Sequence, residues 1–326
     1  MIEIIHSGFF TTVQDQGRVG YRKAGVPAGG AMDSLASRLA NLLVGNDENE
    51  AVLEITMNGP TLRFATDAVI AICGGEFVCT LNERPVSMWR PLTVRRGDVL
   101  AIGACQKGYR GYIAFAGGLD LPLVMNSRST YVQAAIGGLH GKPLQKGDIL
   151  SLRSRAMAVP NIPIRWGTAF SARNYIDGKK KVIRAAAGPE YSMFTAESRA
   201  QFFSHAYEVT PQSDRMGYRL QGQVLKRKDN TEMISEAVAF GTVQVPASGQ
   251  PIVLMADCQT TGGYPRIAQV IAADLPVLAQ ARPGDLIQFQ KVSWQEAQRL
   301  YVERERQLKR WKIIIQQKWR EMGYAH

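Results

Sequence analysis

The chain contains no apolar run approaching the roughly 20 residues that span a bilayer. Its first residues, Met1 to Ile5, lack the basic start and long apolar stretch of a secretory signal. Cytoplasmic residence without membrane attachment is the resulting expectation. Metal chemistry is poorly provided for. The four cysteines, Cys73, Cys79, Cys105 and Cys258, form no CxxC pair and no zinc spacing with His6, His140, His205 and His326. They are expected to be free thiols, mostly structural, and no metal-ligating set is assigned. There is no GxSxG nucleophile elbow, no HExxH and no biotin-accepting Met-Lys-Met segment. Gly137-Gly138-Leu139-His140-Gly141-Lys142-Pro143 comes nearest to a phosphate loop. It is one residue short between its glycines and carries Pro where Ser or Thr must hold magnesium. Any ATP or biotin is therefore handled in another way, or by a partner.

The charge is unevenly placed. The formal net charge is +11, of which residues 153–184 hold +7 and residues 293–326 hold +4, leaving the remainder neutral. A basic connector and a basic tail, with no zinc-finger or RNA-binding signature, argue against a nucleic-acid partner. The length of 326 residues allows two domains, and a hydrophobic content of 45% supports well-filled cores.

Short apolar runs punctuated by Gly-Gly, Gly-Asp or Pro mark a mainly β chain with a few helices: Ala68 to Ile72, Val99 to Ile102, Tyr112 to Ala116 and Ile252 to Met255. Gly97-Asp98, Gly147-Asp148 and Gly284-Asp285 each precede an apolar pair and predict a turn into a strand. Helical spacing of Leu35, Leu39, Leu42 and Leu43, with Asp33 or Ser34 as N-cap and Gly45-Asn46 as stop, predicts a helix near 33–44. Ser293-Trp294-Gln295-Glu296 has the form of a capping box, and an amphipathic helix follows over 293–322 with Trp311 and Trp319 in its stripe. Those indoles call for cover, from the chain's own body or from another subunit. The expected division is 1–152 as a mainly β subdomain, 153–181 as a basic connector, 182–292 as a second β subdomain, and the helix.

Three polar stretches are candidates for a site. In Ser248 to Arg266 an apolar strand runs into Asp257, Gln259, Thr260 and Thr261, followed by Gly262-Gly263 and Tyr264-Pro265. Ser213 to Arg219 packs Asp214, Arg215, Tyr218 and Arg219 around Gly217, a set able to grip a carboxylate or to form surface ion pairs. Ahead of the first helix, Gly29-Gly30 and Asp33 follow Gln14, Asp15 and Arg18. The helix N-terminus there would favour an anion, and the alternative is a simple turn.

These segments carry a resemblance. TTVQDQGRVGYR at 11–22, GVPAGGAMD at 25–33, RLANLLVGN at 38–46, AGGLD at 116–120, SRST at 127–130, SDRMGYRL at 213–220 and QVPASGQPIVLMADCQTTGGYP at 244–265 resemble the carboxyltransferase subdomain A and B family, also called allophanate hydrolase subunit 2-like. The likeness covers about residues 3–292 and is strongest to the 5-oxoprolinase branch of that family.

The resemblance implies two β subdomains with cyclophilin-like barrel architecture. It also implies work within a complex with 5-oxoprolinase subunits A and B, the latter like carboxyltransferase subdomains C and D. That complex opens the 5-oxoproline lactam to glutamate with ATP, accompanied by Mg2+ and bound by this chain or by a partner. Phosphorylation of the lactam oxygen makes its carbonyl open to water. Asp214, Arg215, Asp257 and Tyr264 are then the catalytic candidates. Gln14, Asp15, Arg18, Asp33, Arg219, Gln244, Gln259, Thr260, Thr261, Gly262 and Gly263 are the candidates for substrate binding. Two other activities remain open. A carboxyltransferase part of a biotin-dependent urea or amide carboxylase would act on a similarly planar amide. A regulatory antagonist of a sensor-kinase inhibitor would use the same loops as a protein interface, although such interfaces centre on aromatic and aliphatic anchors.

Overall fold

Strands form where the apolar runs lie, and their partners decide how far each extends. The computed structural model describes residues 1–153, 159–160, 164–168, 172–176, 178, 180–229 and 233–324. Two units are distinguished, Met1–Arg18 with Gly29–Asp177 and Gln307–His326, and Val19–Ala28 with Gly178–Arg306. Much of the expected connector, at 154–158, 161–163, 169–171, 177 and 179, lies outside the described residues.

The first unit is built on one sheet. Its strands are β1 (Ile2–His6), β2 (Phe10–Gln14), β3 (Val52–Thr56), β4 (Thr61–Phe64), β5 (Ala68–Leu81), β6 (Arg84–Pro85), β7 (Pro91–Val94), β8 (Val99–Phe115) and β9 (Ile149–Leu150), with helix α1 (Ser34–Leu43) between β2 and β3. The order is β2-β3-β8-β4-β1-β9, and β5 pairs with β8, β7 and β6. The runs Val99 to Ile102 and Tyr112 to Ala116, separate in the sequence, are the two ends of the single strand β8. Its middle is polar and partly exposed. There it pairs with β5 through irregular register, and Lys107 meets Glu76 at 3.3 Å, so the apolar pattern breaks while the ladder continues.

Alternation explains why the ends of these strands read as unbroken apolar runs. Ile70, Ile72, Ile113 and Phe115 point into one buried cluster. Their neighbours Val69, Ala71, Cys73, Tyr112 and Ala114 point into another, with Leu35, Leu39, Leu42 and Leu43 of α1. Both faces of the sheet are covered at this point.

The second unit is a closed barrel. Strands β10 (Lys180–Ala187), β11 (Ala206–Val209), β12 (Gly217–Gln221), β14 (Thr242–Gln244), β15 (Ile252–Leu254), β17 (Arg266–Val270) and β18 (Leu286–Lys291) close in the order β10-β17-β14-β15-β12-β11-β18. The β10–β18 pair is parallel. Strands β13 (Glu236–Ala237) and β16 (Thr261–Gly262) form a separate two-stranded ribbon. Helices α2 (Ala196–Ser204) and α3 (Leu275–Ala279) complete the unit. The molecule is thus mainly β with few helices, as the sequence leads one to expect.

The three Gly-Asp pairs make one recurring device. Gly97, Gly147 and Gly284 have φ of 92°, 89° and 88°, a conformation that costs an L side chain about 1–2 kcal/mol. Each following carboxylate accepts from the backbone N–H three residues earlier: Arg95 to Asp98 at 2.7 Å, Gln145 to Asp148 at 2.7 Å and Arg282 to Asp285 at 3.2 Å. Each turn also hooks onto one residue of a neighbouring strand. The glycine N–H donates to the carbonyl of Phe64, Ile4 or Val209, and that residue's N–H donates back to the aspartate carbonyl, all at 2.7–3.0 Å. The turn therefore sets the register of the strand that follows it.

Helix α4 (Trp294–Glu321) starts with half of the expected capping box. The Glu296 N–H donates to Ser293 Oγ at 3.1 Å, whereas the Glu296 carboxylate pairs with Arg299 instead of turning back to the cap. Only its C-terminal half is well covered. Leu308, Ile315 and Trp319 are buried in the first unit, where Trp319 donates to the Leu43 carbonyl at 3.1 Å and meets Trp166 edge-on at 5.3 Å. Trp294 and Tyr301, nearer the start, are exposed.

Candidate functional site

Pairing of β12 with β15 brings two of the three polar stretches together. Gly217, Tyr218 and Arg219 lie opposite Leu254, Val253 and Ile252, so the loop entering β12 runs beside the loop leaving β15. Two backbone bonds extend that contact, from Met255 N–H to the Met216 carbonyl at 2.9 Å and from Asp257 N–H to the Arg215 carbonyl at 2.8 Å. The side chains of Arg215 and Asp257 form a two-pronged ion pair, Nε to Oδ2 at 2.8 Å and Nη2 to Oδ1 at 3.0 Å. Both are buried. Such a pair fixes the planes of both groups and clamps the loops together.

A cavity of about 200 Å³ is lined by residues of these same two loops. Its wall takes in Asp214, Arg219, Gln244, Gln259 and Tyr264 from the residues singled out by sequence, and Cys258, Ile252 and Leu254 among others that were not. Asp214 makes an Asx turn, its Oδ1 accepting from the N–H groups of Met216 at 2.8 Å and Gly217 at 3.1 Å. Both bonds fall on Oδ1, so Oδ2 retains its accepting capacity. Arg219 is exposed, and its backbone N–H is held by Ser213 Oγ at 3.0 Å. Gln244 is buried on β14 and donates from Nε2 to the Tyr264 carbonyl at 3.2 Å.

Other expectations for this stretch take a different form. Arg215 and Asp257 do not line the cavity. Thr261 and Gly262 pair with Ala237 and Glu236 in the ribbon, and the Thr260 carbonyl accepts from Val238 N–H at 3.1 Å. The absence of a side chain at Gly262 admits the Gln244 amide, which would lie 2.6 Å from an added Cβ. At Gly263 the nearest atom to an added Cβ is Ser235 Oγ, at 3.5 Å.

The third polar stretch belongs to the first unit, and its side chains bind that unit's own backbone and side chains. The Asp15 carboxylate accepts four bonds, from Gly17 N–H, Ser127 Oγ, Ser129 Oγ and Arg128 N–H, at 2.5–2.8 Å. Gln14 donates to the Thr130 carbonyl at 3.1 Å, and Arg18 donates to the Ser129 carbonyl. The SRST segment at 127–130 is the object of all three. Asp33 caps α1, accepting from Ala36 N–H at 2.9 Å, and also accepts from the Tyr175 hydroxyl at 2.7 Å. Its own N–H donates to Tyr112 Oη at 2.7 Å, and Tyr112 in turn donates to Glu54 at 2.8 Å. Burial first, and the neighbouring carboxylates second, push both phenols well above their ordinary range, so they remain hydrogen-bond donors.

Cys258 was given no role by the sequence, yet it stands in the cavity wall. Burial pushes its thiol up to about 11, against the pull of the Arg22 guanidinium, so it meets the cavity as a neutral thiol at neutral pH. Arg22 donates to the Val238 carbonyl as well. No signal of composition or periodicity marked Arg22; it lies within the block 11–22 and could have been picked out only as a member of it. Among the described residues, no group of three or more His, Cys, Asp or Glu is placed to hold a metal ion, and no helix is long and apolar enough to cross a membrane.

Comparison with known proteins places this geometry among relatives. The chain is 42% identical over 324 residues to the C subunit of Haemophilus influenzae 5-oxoprolinase, covering 98% of this chain and 100% of that one. It is 45% identical over 302 residues to the Escherichia coli protein of the same name, covering 91% and 93%. The crystal structure of Kluyveromyces lactis urea carboxylase superposes with a TM-score of 0.88 at 33% identity, over 94% of this chain and 29% of that larger one. The family model for the carboxyltransferase domain, subdomain A and B, matches residues 24–291. The chain belongs to the carboxyltransferase subdomain A and B family.

Proposed function

We propose that the chain serves as the C subunit of an ATP-dependent 5-oxoprolinase, and that the cavity between β12, β15 and the 258–264 loop receives the lactam. The observation that carries this is a small cavity walled in part by Asp214, Gln244, Gln259 and Tyr264, with the exposed Arg219 guanidinium beside them, in a chain that matches a 5-oxoprolinase C subunit along nearly its whole length. Arg219 is suited to pair with the substrate carboxylate through two parallel hydrogen bonds. Gln244, Gln259 and the Tyr264 hydroxyl supply donors to the oxygens of the tetrahedral carbon formed when water adds to the phosphorylated lactam; its collapse breaks the C–N bond, the nitrogen taking the hydroxyl proton, and a second water releases phosphate from the acyl phosphate. Asp214, with Oδ2 available, orients the first water and takes its proton. Arg215 and Asp257 act outside the cavity wall, by fixing the two loops that line it. Gln14, Asp15, Arg18 and Asp33 hold the SRST segment and the start of α1. ATP with Mg2+, bound by this chain or by a partner, would supply the phosphoryl group for the lactam oxygen, and subunits A and B would complete the assembly.

The alternative reaction is carboxyl transfer to urea or another amide. It is favoured by the likeness in fold to the urea carboxylase, although the chain spans less than a third of that protein. One experiment separates the two. The purified chain is combined with its two partner subunits and supplied with 5-oxoproline and ATP, or with urea, bicarbonate, ATP and a biotin carrier. Glutamate and ADP formed in equal amounts from the first mixture support the oxoprolinase. Carboxylated urea from the second, with no glutamate from the first, overturns it.

A further inference from the structure

Arg22 comes from Val19–Ala28, a segment that packs with the second unit although the chain on either side of it belongs to the first. Within it a single 3-10 turn, Arg22–Ala24, is closed by Gly25 at φ 81°. The half-buried Arg22 guanidinium donates to the Val238 carbonyl. Val238, Leu254 and Cys258 form one small buried cluster with Ile252 packed against it, and Ile252, Leu254 and Cys258 are also cavity wall. The cluster joins the ribbon to the loop that carries Gln259 and Tyr264. Few backbone bonds perform that task, among them Val238 N–H to the Thr260 carbonyl and the short β13–β16 pairing.

We propose that Arg22 is a positioning residue of the cavity: by holding the carbonyl of Val238, which packs with Cys258 of the wall, it fixes where Gln259 and Tyr264 stand. A guanidinium suits this role because its planar fork carries several donors at fixed angles, whereas an ammonium is a single point charge on a flexible stem. Arg22 itself is not among the residues that line the cavity. Only the identity of the substrate rests on the oxoprolinase assignment; the tie itself is independent of it.

The test is backbone amide exchange, followed by mass spectrometry, on the full chain and on its Arg22→Ala and Arg22→Lys variants. In Arg22→Ala, exchange in peptides covering 236–239 and 257–264 should rise about tenfold, with peptides of β10 and β18 unchanged. Arg22→Lys, which keeps the charge without the fork, should fall between. In the reconstituted complex the same alanine variant should raise KM for 5-oxoproline several-fold with kcat within about twofold. Unchanged exchange at both segments would overturn the proposal. So would faster exchange throughout the barrel, because that marks general loosening. A wild-type complex that leaves 5-oxoproline intact removes the substrate assignment, while a local exchange response still supports the tie.

Discussion

Asp15 and Asp214 begin alike and end differently. Each sits in a loop with an arginine and a glycine close by, Asp15-Gln16-Gly17-Arg18 and Asp214-Arg215-Met216-Gly217. Each makes the same local bond, Oδ1 accepting at 2.8 Å from the backbone N–H two residues on. Beyond that the surroundings decide. Asp15 is met by Ser127, Arg128 and Ser129 and is buried, whereas Asp214 faces a cavity. Two arginines near them divide in the same way: Arg18 is buried against a carbonyl, and Arg219 is exposed in the cavity wall. Polar residues in a glycine-bearing loop are thus equally a device for pinning another loop and a device for meeting a ligand. What separates the two is whether donors from elsewhere in the fold saturate them.

The sharpest way to break this comparison is Asp15→Ala. It strands four donors at once and should lower unfolding free energy by on the order of 3–5 kcal/mol, read from the urea midpoint. A change below about 0.5 kcal/mol would mean that the network does not hold the SRST segment. Arg219→Ala is the opposite case. Stability should shift by no more than about 0.5 kcal/mol, while kcat/KM for 5-oxoproline in the complex falls about 10- to 100-fold. Wild-type kinetics in that variant would move the carboxylate grip elsewhere.

Next in size are the Gly-Asp turns. An added Cβ meets nothing within 4 Å at Gly97 or Gly284, so alanine at either costs only the backbone term, about 1–2 kcal/mol in denaturant titration. A markedly larger loss at one of them would show that the two turns are not the same device. The smallest effect concerns Glu190 and Arg266. Burial raises the Glu190 carboxyl, but hydrogen bonds from the Arg266 side chain and N–H outweigh it and hold the group below its ordinary 4.5. Its contribution is therefore complete above that ordinary value and is lost as pH falls through the lower folded one. Glu190→Gln should lower stability in the neutral region by up to about 1 kcal/mol, leave the acid end little changed, and so flatten the acid limb below about 4.5. An unaltered acid limb would assign acid sensitivity to other carboxylates.

Much of the fold was legible because its signals are local. Asp33 caps α1 as its position before the leucine stripe suggests, and each Gly-Asp pair does turn into a strand. The extent of β8 was not legible, since its middle is exposed and carries no apolar pattern. Nor was the division of α4 into a covered and an uncovered half, because the stripe is periodic throughout. In the site, Asp214, Arg219, Gln244, Gln259 and Tyr264 were picked out by residue type and do line the cavity. Cys258 and Arg22 were passed over. A thiol and a lone arginine declare nothing until their neighbours are known.

From the sequence alone came family membership, the β character, the turns, and the helices whose capping and periodicity lie within a few residues of one another. Those depend on short-range sterics and hydrogen bonding, which a linear string records directly. Tertiary structure alone decided which carboxylates are saturated and which face space, that Arg215 is taken up by Asp257, and that residues 19–28 pack with the barrel. Each of these depends on a partner dozens or hundreds of residues away, and a polar side chain carries no mark of whether that partner will be a backbone amide or an open cavity.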